Sequence, residues 1–191
     1  MTLPPDPAGR HRAVAATFTD RARGVRDWDA PSPVPGWSAR DVVRHLVGWF
    51  PPFLAEGSGH RWEPGPDVDV DPVGAWAHHA RAVQALLEDR VATAGRFTHP
   101  RLPDLPLGAA VDRFYTADVF MHTWDLSRAS GQEAGLDAGF CTELLTGMEP
   151  MEDLMRGSGQ YGPRVPVPDD ASAQDRLVGF IGRDPAWTPP A

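Results

Sequence analysis

RFYTADVFMHTWDLSRASG, residues 113–131, has the length and period of a bundle helix but carries ionisable side chains where such a helix is apolar. At helical spacing Val111, Tyr115, Asp118, His122 and Leu126 fall on one stripe, with Phe114 and Met121 on its shoulder. Burying an unpaired carboxylate or imidazole costs roughly several kcal/mol, so this stripe requires a partner, a metal ion or a watery pocket in front of it. Asp118 and His122 are four apart and project the same way, a spacing from which one helix can hold an ion from two sides.

The same anomaly recurs in GWSARDVVRHLVGW, residues 36–49. Ser38 followed by Asp41 reads as a capping box at a helix N-terminus. Val42, His45, Leu46 and Trp49 then recur at helical intervals, which places His45 on an apolar face. If the two helices face each other, two imidazoles and one carboxylate converge: His45, Asp118 and His122.

Working outward, 191 residues with 41% hydrophobic content suffice for one core. The formal net charge of -8 disfavours nucleic acid or an anionic membrane surface as partner. All eighteen basic residues are arginine, which reflects codon usage rather than a need for guanidinium at every site. The single cysteine, Cys141, leaves no intramolecular disulfide and no cysteine-rich zinc site; with nothing basic beside it, it reads as a small core residue. No window approaches the ~18 apolar residues of a membrane span, and the first twelve residues lack an apolar leader core, so a cytoplasmic protein is expected.

A first helix is expected over residues 11–25 and a second from Ser38 to near Pro51. A Gly/Pro-rich loop follows at 57–66, and Asp71 before Pro72 opens a third helix to about Asp89, with His79 on its stripe. Residues 99–106 read as a proline-broken turn, and no period-two strand pattern is visible. The fourth helix carries the central stretch and stops at Gly131; a fifth spans 137–149, with Pro150 ending or kinking it and Met151, Leu154 and Met155 continuing its apolar face. Residues 157–168 read as irregular, the Val-Pro-Val-Pro run extended, and Ser172 with Asp175 starts a short last helix with Leu177, Val178 and Ile181 inward. The fold class is all-α, a four-helix bundle over residues 1–155, with residues 156–191 as an extended segment and accessory C-terminal helix packed on it.

These segments resemble a known family. GWSARDVVRHLVGW and DVFMHTWDLSRASG look like the two signature segments of the DinB-like bundle proteins, in the branch containing mycothiol-dependent maleylpyruvate isomerase. The tail, YGPRVPVPDDASAQDRLVGFIGRDPAW, is similar to the end of short metal-binding proteins of that branch. The resemblance runs from about Pro35 onward and is weakest over residues 67–105. It implies a DinB-like four-helix bundle holding a divalent metal, zinc or nickel, on His45, Asp118 and His122. It also implies a low-molecular-weight thiol such as mycothiol as cofactor or co-substrate. The isomerase places glutamate where this chain has Asp118, and it carries a second domain where this chain has a short tail, so its reaction is not transferred.

Two imidazoles and one carboxylate leave a coordination position open, the pattern of a catalytic zinc site. A thiol at such a cation ionises near neutral pH, and the thiolate is a nucleophile. The expected activity is therefore a thiol-dependent S-transferase or isomerase-like reaction on a small electrophile. The alternatives are a non-catalytic bundle that sequesters a metal or small molecule, a buried hydrogen-bonded network bracing two helices, and, last, a non-haem iron site. Asp125, one turn after His122, reads as a carboxylate orienting a ligand imidazole or pairing with an arginine. His79 and Trp49 are candidates to line the pocket, and both a monomer and a homodimer suit such a bundle.

Overall fold

Side-chain caps at helix starts set the frame of the structure, a computed structural model that describes residues 2–100 and 102–190; residue 101 of the expected turn and the last residue of the tail lie outside that range. Asp6 and Pro7 open α1, Pro7–Gly24, one turn before the start expected from the apolar pattern. Ser38 opens α2, Ala39–Ser58, through the full capping box with Asp41. Asp71 with Pro72 opens α3, Pro72–Glu88, and the five-residue α4, Arg90–Ala94, follows. The fourth long helix runs without interruption through α5, Leu107–Ala110, a π-helical turn, Val111–Thr116, and α6, Ala117–Ala129. α1 packs on α3 and α6, and α2 packs on α3 and α6, which closes the four-helix bundle.

Three expectations are corrected. α2 does not end near Pro51 but passes through Pro51 and Pro52 to Ser58. The prolines remove two backbone donors, but Pro52 is exposed and Pro51 half-buried while Phe50, Leu54 and Gly57 are buried on the inner side, and that burial outweighs the loss. Residues 96–106 are not a simple turn: β1, Arg96–His99, pairs antiparallel with β2, Leu102–Pro106, matching Arg96 with Pro106 and Phe97 with Leu105. A two-stranded ribbon consists of edges, where proline is tolerated. Phe97, 1% exposed, anchors it on Gly57 of α2, where any Cβ would overlap the ring. Finally, the central helix is not amphipathic with one buried stripe. Every residue of α6 except Asp118 and Arg128 is buried, because later elements cover its outer face.

Those elements are α7, Ala138–Met148, a 3-10 turn, Glu149–Met151, α8, Glu152–Gly157, and α9, Ala173–Phe180, which packs on α7. Ser172 caps α9 through the Asp175 amide as its sequence predicts, and Leu177, Val178 and Ile181 are buried. Leu154 is 75% exposed, so the apolar face does not continue through it. Cys141 is a core residue; burial first, then Asp137 and Asp175, pushes its thiol up to about 12.

The α2 cap positions a candidate ligand two turns further on, so its loss tests the local logic. Ser38→Ala is expected to lower unfolding free energy by about 1 kcal/mol in urea titration. An unchanged midpoint would show that the backbone bonds of Ala39 to Ala30 and Arg40 to Trp28 hold the helix start unaided.

Candidate metal centre

The capping box fixes where α2 starts and hence which residues it turns inward; seven positions after Ser38 it presents His45 to α6. On the facing helix, the π-helical turn inserts one residue just before Asp118, rotating everything after it by about 100° relative to an unbroken α-helix. Asp118 then leads α6, with His122 one turn on. Their donor atoms meet: His45 Nε2 lies 3.1 Å from Asp118 Oδ2, and His122 Nε2 lies 3.5 Å from Asp118 Oδ1. One ligand atom from each of the three residues lies within 4.8 Å of the others.

The surroundings orient each donor. Trp49 Nε1–H donates to Asp118 Oδ2 at 2.9 Å, and the His122 Nδ1–H donates to Asp125 Oδ2 at 2.8 Å. With Nδ1 carrying the proton, the His122 Nε2 lone pair is turned toward Asp118. Asp125 is fully buried and also accepts from Arg183. Trp37 lies stacked on His122, with ring centroids 5.8 Å apart, and 5.0 Å from His45.

Exposure rises across the triad, from 8% at the His122 side chain through 17% at Asp118 to 30% at His45. The outer side opens into a cleft of about 530 Å³ lined by Gly36, Trp37, Asp41, Arg44, His45 and Trp49, among others. Arg44 is ion-paired with Asp41 and with Asp69 of the loop before α3, tying that loop to the cleft rim.

Burial alone would raise the Asp118 carboxyl; His122, His45 and the Trp49 N–H outweigh it and hold the group below the usual carboxylate range. Burial likewise raises Asp125, and Arg183 and His122 together bring it below that range. For His122 the burial effect is downward, but Asp118 and Asp125 pull the imidazole above its ordinary value. The donor set, two imidazole nitrogens and one anionic oxygen with room on one side, fits a divalent cation of intermediate hardness.

Of the other residues singled out in the sequence, Trp49 and Asp125 sit against the triad and His79 does not. His79 is buried among Phe50, Trp62 and Tyr115, where its imidazole is pushed down to about 3 by burial and then by His11 and His78. Three residues at the site were not foreseen: Trp37, Arg183 and Tyr161. Burial, then the Asp118 charge, pushes the Tyr161 hydroxyl up to about 12, while Arg183 acts the other way. Trp37 stood inside the quoted segment beside Ser38, the one available signal; nothing local marks Arg183, 58 positions from Asp125.

Residues 11–127 match the model of the mycothiol maleylpyruvate isomerase N-terminal domain, a span that includes His45, Asp118, His122 and Asp125. The chain belongs to this family. Two uncharacterized proteins from two strains of Mycobacterium tuberculosis are each 28% identical to it over 185 residues, covering 93% of this chain and 98% of the relative. No solved structure matches. The family match ends before the C-terminal elements.

Proposed function

We propose that this member of the family binds one divalent metal, zinc or nickel, on His45, Asp118 and His122, and uses it in a thiol-dependent S-transferase or isomerase-like reaction on a small electrophile. The observation that carries this reading is the convergence of two imidazole nitrogens and a carboxylate beside an open cleft that His45 lines. A low-molecular-weight thiol of the mycothiol type is the co-substrate that the family match suggests. A divalent cation, when bound, lowers the pKa of a thiol brought to it and so supplies a nucleophile at neutral pH.

The chain's own residues do the rest. Trp37 and Trp49 wall the cleft with ring surface and keep water from the inner side of the triad. Trp49 holds the Asp118 carboxylate in one orientation, and Asp125 holds the His122 ring in one tautomer. In transfer, the thiolate sulfur forms a bond to the electrophilic carbon as the carbon–leaving-group bond breaks, the leaving group taking that electron pair into the open cleft beside His45. In addition across a double bond, the proton released from the thiol ends on the second carbon.

The test is elemental analysis of protein purified without a histidine tag, followed by titration of mycothiol into the cobalt-substituted protein. About one zinc or nickel per chain, with a thiol-induced change in the cobalt absorption bands and thioether formation with a chromogenic electrophile, is the expected result. No metal after dialysis against zinc would overturn the reading and leave a hydrogen-bond network. Thiol binding without turnover would overturn the catalytic part and leave a sequestering protein.

A further inference from the structure

Asp125 is where the candidate centre meets the C-terminal tail. Its side chain is fully buried, and Oδ2 accepts from both His122 Nδ1 at 2.8 Å and Arg183 Nη2 at 3.2 Å. Oδ1 accepts from Arg183 Nε, also at 3.2 Å. A guanidinium that engages both oxygens fixes the plane of the carboxylate, and the carboxylate fixes the plane of the imidazole. The direction of His122 Nε2 is therefore set by a residue on the tail, itself only 12% exposed.

The tail reaches this position through several independent contacts. The Arg183 amide donates to the Val178 carbonyl at 3.0 Å, and Nη1 donates to the Ile181 carbonyl at 3.1 Å, so the side chain is aimed by its own backbone. Gly182 makes the bend at φ +88°, and a Cβ there would press on the backbone of Gly162 at 2.9 Å. Beyond it, Arg128 of α6 donates to the Pro185 carbonyl at 2.6 Å, and Trp187 packs against the cluster of Trp124, Ala134 and Val178. Both anchor points on α6 lie within one turn of Asp125.

We propose that Arg183 is a positioning residue of the metal centre, so that docking of residues 177–187 on α6 and metal occupancy favour one another. The proposal rests on the metal reading above. If the docked tail tightens metal binding through His122, the bound metal tightens tail docking by the same factor, because coupling between two equilibria is reciprocal. Lysine at 183 keeps the charge but loses the fork, so it separates geometry from electrostatics.

The test compares wild type, Arg183→Lys and Arg183→Met in zinc affinity by chelator competition and in the cobalt absorption spectrum, with far-UV circular dichroism as a control on folding. Roughly 10- to 100-fold weaker zinc binding with shifted cobalt bands in both variants is expected, the scale on which partners behind metal-bound histidines act. Wild-type affinity and spectrum in folded variants would overturn the proposal while leaving the metal centre standing. No zinc binding by wild type would overturn both. Hydrogen exchange in wild type gives a reading that needs no variant to fold: zinc is expected to slow exchange over residues 177–184 several-fold, and unchanged exchange in zinc-loaded protein would overturn the coupling.

Discussion

Asp118→Asn is expected to weaken zinc binding by at least about 100-fold while leaving the bundle folded. Zinc sites with four ligands bind with ~10–16 kcal/mol, so one ligand carries about 3 kcal/mol, two orders of magnitude in affinity. Asparagine has the shape of aspartate and keeps an oxygen to accept the Trp49 N–H, so the scaffold contact at 2.9 Å survives and only the charge is lost. Asp118→Leu would confuse the two effects by leaving the Trp49 N–H and His45 without their acceptor, at about 1–3 kcal/mol for each buried group. Chelator competition measures the affinity, and thermal unfolding with EDTA present confirms the fold. An Asp118→Asn protein that binds zinc within a few-fold of wild type would reduce Asp118 to a brace between α2 and α6. Asp118→Glu, which resembles the arrangement in the isomerase, is expected to retain zinc.

The three candidate ligands were legible because each interrupts an otherwise regular apolar pattern: His45 between Val42 and Trp49, Asp118 and His122 between Tyr115 and Leu126. Burial makes such interruptions costly, so they stand out without any knowledge of the partner helix. The caps at Ser38, Asp71 and Ser172 were legible for a different reason, since a side chain that bonds an amide three residues away leaves its whole signature within one turn. What stayed hidden depends on distant contacts. Pro51 and Pro52 read locally as a stop, and only the burial of Phe50 and Leu54 against other helices keeps α2 going. The strand formed by Phe97 exists because Gly57, forty positions earlier, leaves room for its ring. Arg183 reads as one more surface arginine among eighteen until the tail is folded onto Asp125.

The C-terminal segment also supplies a partner to a residue behind the candidate site. The family match ends at residue 127, yet Asp125, inside it, pairs its buried charge with Arg183, outside it, as well as with His122. Removing one partner of a buried ion pair leaves an uncompensated charge and costs about 3–5 kcal/mol, so the bundle and its C-terminal elements form one energetic unit.

Acid is expected to unfold the metal-free protein earlier than its carboxylates require, and His79 is the main cause. Its imidazole is held at about 3 by burial, against 6.5 when the chain is unfolded, so the unfolded state binds the proton first. Stability is whole above pH 6.5 and falls with decreasing pH until about pH 3, at a limiting rate of ~1.4 kcal/mol per pH unit. His11, lowered by burial, adds in the same direction. His122 is shifted the other way: its folded value is raised, so its contribution is already complete below pH 6.5 and flat through the window. Asp118 and Asp125, held low in the fold, lose their contributions only below the ordinary carboxylate range. Between pH 6.5 and 4.5 the two lowered histidines therefore dominate the slope, and Asp112, whose carboxyl burial raises, works against them toward the acid end. Urea unfolding in EDTA across that window is expected to show a loss of roughly 2–3 kcal/mol or more, a large part of a typical domain's stability. In His79→Phe, whose ring can pack with Phe50, Trp62 and Tyr115, the slope should fall by about 1 kcal/mol per pH unit. Parallel curves for the two proteins would show that His79 takes up its proton in the folded state at its ordinary value, and that the ring is open to water.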